Sequence, residues 1–211
     1  MSFYRNYRVR SIEGPQSTGS GIVIDATLRS HVNGSPTLNV GSATTWEDMR
    51  FPATAINPPG LVSDPDWDDT YGGWLFASGA TEQLWVIGQM PHTYKEGSAI
   101  YPHLHWEPTN TNTGSVAWRI YYKWVNIGGT DAEPTDVLSD YDPGNGTAYM
   151  HQLSSLGSIS GTGMGVSSMI TIKLQRVGGI GSDTYNADCL FKEFDIHYEI
   201  DSQGSRLESS K

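Results

Sequence analysis

The strictest pattern in this chain is the alternation in "SVAWRIYYKWVNI", residues 115–127. Its apolar and aromatic members at every second position are Val116, Trp118, Ile120, Tyr122 and Trp124. Between them stand Arg119, Tyr121 and Lys123. Side chains two residues apart lie on the same face of a strand, so this period predicts a β-strand with one face in a core.

The same alternation recurs along the chain and sets the fold class. Further strand-like runs are 73–78, 82–90, 99–108, 147–153, 167–177 and 187–201. In 187–201 we expect Leu190, Phe194, Ile196, Tyr198 and Ile200 inward, and Glu193, Asp195, His197 and Glu199 outward. No window of eleven or more residues shows a helical period. These patterns predict an all-β protein: an antiparallel β-sandwich, jelly-roll-like, with an extended N-terminal arm.

Two stretches carry turn signals that favour irregular structure. Residues 44–60 contain three prolines, which indicate an irregular but packed, non-helical segment. Residues 128–146 are rich in Gly, Asp and Pro, which predicts a loop.

The first 43 residues differ from the rest in being rich in Ser, Gly, Thr and Asn. One apolar run, "GIVIDATL" at 21–28, can add one strand. We therefore expect residues 1–43 to form an arm and residues 44–211 to form the sandwich domain. A polar terminus is ordered mainly where something holds it, which favours a contact with a neighbouring subunit. Our candidates for that contact are Tyr4, Tyr7, Arg8 and Arg10.

Charge and cysteine content exclude several classes of function. The net charge is −10 and the pI is about 4.9, which argues against a nucleic-acid partner, because phosphate contacts need clustered cations. No polybasic stretch or long apolar run predicts a membrane partner. The N-terminus lacks the apolar core of a signal peptide, so we expect synthesis in a cytoplasm. The single cysteine, Cys189, is expected to be a buried small side chain rather than a nucleophile.

The stretch "YKEGSAIYPHLHWEP", residues 94–108, suggests metal binding. Gly97, five residues and then His103 and His105 match the first half of the cupin motif, in which two histidines on one strand face bind one metal ion. Glu107 stands too early for the third ligand of that motif. A metal-binding alternative would therefore use His103 and His105 with His151 or His197. Under the other interpretation, Tyr101, His103, His105 and Glu107 form a polar strand face at a subunit contact, with the histidines hydrogen-bonded to Tyr101 or Glu107.

A second candidate site is the acidic loop around "SDPDWDDTYGG", residues 63–73. Its carboxylates predict a solvated loop, since the glycine and glutamate of a calcium-binding EF-hand are missing. The aromatic residues Trp67, Tyr71 and Trp74 border it and suggest a stacking platform for a glycan in residues 63–74. Core filling is the competing interpretation. The sequence shows no complete set of catalytic residues, and we predict neither enzymatic activity nor a cofactor.

Three separated blocks together resemble a family of structural proteins from tailed bacteriophages. They are "TTWEDMRFPATA" (44–55), "QMPHTYKEGSAIYPHLHWEP" (89–108) and "FKEFDIHYEIDSQGSR" (191–206). Members of that family carry W-[DE]-D-[LM]-R-[FV]-P, P-H-x-[YW]-K-E-G-[ST]-x-[IL]-x-P-H-[LIV]-H-W and [IF]-H-Y-x-x-D-x-x-G-S-R in this order. The first 43 residues lie outside the resemblance.

This resemblance implies a non-enzymatic virion protein, acting as a capsid decoration, a head fibre or a tail-associated protein. The implied partners are phage capsid or tail proteins and further copies of the chain, with a homotrimer as the favoured oligomer. The implied location is the virion, after synthesis in the host bacterial cytoplasm. The alternatives that stay open are the cupin-like metal-binding domain and the glycan- or receptor-binding module.

Overall fold

A computed structural model describes residues 45–58, 60–205 and 207–211 of the chain. These residues form ten β-strands and a short 3-10 turn at Ala53–Ala55. The strands are β1 (Thr45–Pro52), β2 (Asp66–Asp68), β3 (Gly73–Phe76), β4 (Thr81–Gln89), β5 (Ile100–Pro108), β6 (Ser115–Val125), β7 (Asp136–Pro143), β8 (Gln152–Ser155), β9 (Met169–Val177) and β10 (Cys189–Ile200). The predicted arm and its contact candidates Tyr4, Tyr7, Arg8 and Arg10 lie outside the described residues.

The strands form two antiparallel sheets. The first has six strands in the order β2-β3-β10-β5-β8, with β1 also paired to β10, and the second has four in the order β4-β9-β6-β7. From β3 to β10 this is the strand order of a jelly roll. The predicted all-β antiparallel sandwich is confirmed.

The core lies between the sheets and is built from the inward half of each alternating strand. Trp118 of β6 meets Phe76 edge-on at a ring-centroid distance of 5.4 Å and Trp106 of β5 at 6.0 Å. All three side chains are at most 1% exposed. The alternating apolar residues of 115–127 therefore face the core, as predicted.

One buried ion pair holds a long loop against this core. The guanidinium of Arg176 on β9 bonds both carboxylate oxygens of Asp183, at 2.9 and 2.8 Å. It also donates to the carbonyls of Phe76, Tyr185 and Ala187. Each of these acceptors receives a hydrogen bond from the guanidinium. These bonds offset the free-energy cost of burying the charge of Arg176.

Several expectations from the sequence are wrong in detail. The strand expected at 147–153 begins only at Gln152, as β8. Residues 44–60 were expected to be irregular, yet β1 occupies Thr45–Pro52 because its eight residues pair with β10. The expected loop at 128–146 contains β7, which pairs with β6. In β10 a register shift between Phe191 and Glu193 changes the alternation, so that Phe191 rather than Leu190 joins the main core cluster.

None of the helical segments in the described part of the chain is long and apolar enough to cross a membrane.

Candidate functional site

The predicted site residues of β5 share one outward face of the six-stranded sheet. Burial alternates along Ile100–Pro108, with the even-numbered positions buried and the others half-buried. Tyr101, His103, His105 and Glu107 therefore point away from the core. Strand β10 lies beside β5 and β1 lies beside β10, so their outward residues extend this surface.

His105 is held between two partners. Its Nε2 lies 2.9 Å from Asp195 Oδ2, and its Nδ1 lies 2.7 Å from Nε2 of His151. The two imidazole planes are 16° apart and the ring centroids are 4.9 Å apart, so the rings meet edge to edge through these two nitrogens. An ionised carboxylate can only accept a hydrogen bond, so His105 donates its Nε2–H to Asp195. The second hydrogen bond joins Nδ1 of His105 and Nε2 of His151 through one proton. Both nitrogens of His105 are thus engaged within the protein.

Asp195 anchors this arrangement from β10. It is 5% exposed, its Oδ1 lies 3.3 Å from His103 Nδ1, and that oxygen accepts no aligned hydrogen bond among the described residues. Burial alone would raise the pKa of the Asp195 carboxyl, but His103 and His105 favour its charged form and together outweigh burial, so its pKa is lowered. A carboxylate is therefore kept ionised at the base of the histidine pair.

A second group extends the face to β1. The ring of Trp46 stacks on His197, with centroids 4.9 Å apart and planes 6° apart, and meets Tyr101 edge-on at 5.5 Å. Nδ1 of His197 lies 2.5 Å from Asp48 Oδ1. Trp46 is 40% exposed, so a large aromatic surface stays open to solvent within this ordered group.

Charged pairs border the same surface. The guanidinium of Arg50 binds both oxygens of Glu193, at 2.5 and 2.7 Å, and Lys95 pairs with Glu199. We call the combined outward surface of β1, β10 and β5 the histidine face. Its residues are Trp46, Asp48, Arg50, Tyr101, His103, His105, Glu107, Glu193, Asp195, His197 and Glu199.

The four candidate metal ligands do not converge. His151 contacts His105, whereas His197 pairs with Asp48, and the His103 and His197 ring centroids are 5.8 Å apart. Across the described residues, no group of three or more His, Cys, Asp or Glu side chains is arranged to hold a metal ion. The three-histidine site of the cupin alternative is therefore not formed in this part of the chain. Nor does any described Ser, Thr or Cys side chain bond His103 or His105, as a nucleophile activated by a histidine would.

The hydrogen-bond partners expected for the histidines were wrong. Glu107 and Tyr101 were expected, but the partners are Asp195 on β10 and His151, which directly precedes β8. Both β10 and β8 pair with β5, which brings these side chains close to His105. Sequence alternation had placed Asp195 and His197 outward. The missing information was that β10 pairs with β5 and β1.

Cys189 is buried at 0% exposure. Burial, which outweighs the nearby Arg176, raises the pKa of its thiol to about 12. This environment fits the interpretation of Cys189 as a buried small side chain.

The acidic loop, residues 63–73, is held by hydrogen bonds between its carboxylates and nearby backbone N–H groups. Asp64 Oδ2 accepts from the N–H groups of Gly60 and Leu61, and Asp68 Oδ1 accepts from those of Thr70 and Tyr71. These two carboxylates therefore close turns. Trp74 donates to the carbonyl of Ala53, which fits a packing role.

An aromatic pair not foreseen from the sequence borders this loop. The rings of Tyr71 and Tyr149 stack with centroids 3.9 Å apart. Tyr149 has a φ of 56°, in the left-handed region that side chains other than glycine rarely adopt. A non-glycine residue held there points to a constraint on its side chain.

A further cluster fixes the C-terminal segment. His92 Nδ1 lies 2.5 Å from Ser205 Oγ, and its Nε2 lies 3.0 Å from Ser167 Oγ. Ser167 in turn donates to the carbonyl of Glu208. His92 and Ser205 belong to the second and third resemblance blocks, so those blocks meet here as well.

No known family model and no curated protein matches the sequence. Similar solved structures include a carbohydrate-binding module, CBM36, in complex with calcium and xylotriose, at 11% identity over 70% of this chain and 98% of that chain, with a TM-score of 0.38. A family two carbohydrate esterase from Cellvibrio japonicus is 9% identical over 79% of this chain and 36% of that chain, with a TM-score of 0.39. The insecticidal delta-endotoxin Cry8Ea1 from Bacillus thuringiensis is 9% identical over 73% of this chain and 24% of that chain, with a TM-score of 0.38. At these TM-scores the likenesses give no basis for assigning a function.

Proposed function

We propose that this chain is a non-enzymatic structural subunit of a tailed-bacteriophage particle, and that it contacts neighbouring capsid or tail subunits through the histidine face. The observation that carries the proposal is where the three resemblance blocks lie. Blocks 44–55 and 89–108 contain β1 and β5, and block 191–206 contains β10 except for its first two residues. These are three adjacent strands with β10 in the middle. Blocks far apart in sequence thus contribute to one continuous surface.

Packing of the core does not account for the outward half of these blocks. Their inward residues, such as Leu104 and Phe194, are fully buried and serve the sandwich. Trp46, His103 and His197 lie on the other side and are linked to one another and to carboxylates. This connected set of outward side chains supports a role of the surface in contact with another protein.

The composition of the histidine face suits a protein contact. Interface cores favour aromatic residues and arginine, and Trp46 with Tyr101 supplies an aromatic centre on this face. Its side chains are already fixed by stacking and ion pairs, as in the bidentate Arg50–Glu193 pair. Prior order reduces the conformational entropy that is lost on binding.

The proposal is tested with particles from a phage that encodes this chain, with the gene deleted and then supplied in trans. The double variant Trp46→Ala, Tyr101→Ala should enter particles at least about tenfold less than the wild type, since truncating an interface aromatic costs roughly 2 kcal/mol or more. A matched control is Leu61→Ala, Val62→Ala, which truncates two exposed apolar residues on a loop. Copies per particle are counted by quantitative mass spectrometry. Wild-type particles that lack the chain, or equal incorporation of both variants, would contradict the proposal.

A second candidate function, glycan binding beside the acidic loop, is favoured by the Tyr71–Tyr149 pair. Tyr71 is 44% and Tyr149 38% exposed, and Trp67 nearby is 37% exposed. Exposed aromatic faces are suitable surfaces for the apolar face of a sugar ring. Tyr149 takes part in this stack with a backbone φ of 56°, in the left-handed region.

A glycan array distinguishes this second function. Binding that is present in the wild type, lost in Tyr71→Ala and Tyr149→Ala, and kept in Tyr141→Ala would support it. Tyr141 is a suitable control because it is an exposed tyrosine on β7, in the other sheet. An array without any hit would dismiss glycan binding and leave the structural proposal untouched.

A further inference from the structure

The outward face of the four-stranded sheet has an unusual charge distribution. Strands β4, β6, β7 and β9 contain four carboxylates, Glu82, Asp136, Asp140 and Asp142. Their ladder partners place them inward: Glu82 pairs with buried Arg176, and Asp136 pairs with the inward Tyr122. Asp140 and Asp142 pair with the inward Trp118 and Val116. No outward position of these four strands, all of them described, therefore holds an acidic side chain.

Three cations occupy this outward face. They are Arg119 and Lys123 on β6 and Lys173 on β9. None of them forms an ion pair with a carboxylate among the described residues. In a chain of net charge −10, this surface, which we call the basic face, is a local exception.

The basic face also offers apolar anchors. Lys173 lies between two rings, with its Nζ 4.5 Å from the centroid of Tyr121 and 5.7 Å from that of Trp85. Ile87 beside them is 61% exposed. A surface that combines cations with aromatic and aliphatic side chains fits an acidic protein surface with an aromatic centre.

The opposite side of the same sandwich is such a surface. The strands of the histidine face place five carboxylates outward, Asp48, Glu107, Glu193, Asp195 and Glu199, against one outward cation, Arg50. Lys95 borders this face and pairs with Glu199, and Lys192 of β10 bonds the carbonyls of Tyr71 and Gly72. Carboxylates therefore outnumber cations on this side. Its aromatic centre is Trp46, which is 40% exposed. The two faces are therefore complementary in charge and in apolar character.

We propose that the histidine face of one copy docks on the basic face of a second copy. This inference rests on the proposed function, because it names one partner of the histidine face. A two-fold contact through either face alone would set like charges against each other, which disfavours it. The head-to-tail contact pairs opposite charges instead.

The position of the faces determines the kind of assembly. The two sheets pack face to face, so the histidine face and the basic face lie on opposite sides of the sandwich. A head-to-tail contact between opposite sides repeats and builds an open column rather than the closed trimer that the sequence favoured. The mass in solution should therefore rise with concentration and pass beyond that of a dimer.

A charge-swap experiment with the full-length chain tests the contact by sedimentation velocity. At an ionic strength of about 10 mM, where charges act over about 30 Å, the wild type should exceed its monomer mass; at about 1 M salt the association should weaken. The basic-face variant Lys123→Glu, Lys173→Glu and the histidine-face variant Asp48→Lys, Glu107→Lys should each associate at least about tenfold more weakly, equivalent to ~1.4 kcal/mol. An equimolar mixture of the two variants should associate again, because each then supplies the face that the other lacks. Restored association also shows that both variants are folded.

Three results would overturn the head-to-tail contact. They are a wild type that stays at 23.1 kDa at low salt, folded variants whose mixture stays monomeric, and association that only one of the two variants weakens. Association that survives both charge reversals and is lost on deleting residues 1–44 would assign it to that segment and would overturn the contact too. Incorporation into particles is a separate readout. Loss of incorporation in the Trp46→Ala, Tyr101→Ala variant, combined with any of these results, would leave the proposed function standing and dismiss this inference.

Discussion

Asp195 on β10 and His105 on β5 are joined across the sheet by a 2.9 Å hydrogen bond between Asp195 Oδ2 and His105 Nε2. The carboxylate is nearly buried, and its other oxygen faces His103 at 3.3 Å. This relationship connects two of the three resemblance blocks and organises the centre of the histidine face.

We expect Asp195→Asn to destabilise the fold by about 1–3 kcal/mol at neutral pH, because a buried charged acceptor is lost between two imidazoles. Burial would raise the pKa of Asp195, but the two histidines outweigh it and lower the pKa below its usual 3.8. A depressed pKa contributes stability that is fully present above the unfolded pKa and is lost as the pH falls through the folded pKa. Urea unfolding should therefore show the difference between wild type and variant narrowing below about pH 4. A difference that stays constant down to pH 2 would be the contrary result.

Arg176→Leu should destabilise the protein by roughly 3–5 kcal/mol, because it leaves the carboxylate of Asp183 buried and unpaired. Both side chains of the pair are at most 1% exposed. The double variant Arg176→Leu, Asp183→Asn should regain part of that loss. Arg50→Ala is the matched control: it removes an exposed ion pair and should leave the thermal midpoint close to that of the wild type. A double variant less stable than Arg176→Leu would refute this account of the loop anchor.

Cys189 should resist alkylation by iodoacetamide at pH 8 in the folded protein. Its thiol is fully buried and its pKa is raised to about 12, so almost no accessible thiolate is present. Mass spectrometry should detect modification only after urea is added. Rapid modification of the native protein would mean that β10 opens readily at this end.

His92→Ala should release the C-terminal segment, because the His92 ring holds Ser205 and Ser167 together. Hydrogen exchange should show faster exchange in residues 203–211, with β9 and β10 protected as in the wild type. His151→Ala is the matched control, since His151 contacts the histidine face instead. If residues 203–211 exchange equally fast in His92→Ala and His151→Ala, then His92 does not hold this segment.

Strands with one apolar face could be predicted because each carries its own local signal. The alternation in residues 115–127 was read correctly, since Val116, Trp118 and Ile120 are all buried. Strand β7 was missed for a physical reason. Three of its four inward positions hold Asp136, Asp140 and Asp142, so its sequence lacks the apolar half of the pattern.

The histidine face could be predicted only in part. His103 and His105 lie two residues apart on one strand, so a local pattern reveals them. Their partner Asp195 is about 90 residues away in sequence and reaches them only because β10 pairs with β5. A single sequence gives no direct signal for such a long-range strand pairing. Without the position of Asp195, the two histidines of β5 suggested a metal site.

The most direct test of the central claim is electron cryo-microscopy of intact particles from a phage that encodes this chain. We predict that the chain occupies a repeated position and that its histidine face is buried against another subunit, with Trp46 and Tyr101 in contact with that neighbour. Particles without the chain, or a bound chain whose histidine face is open to solvent in every copy, would contradict the account.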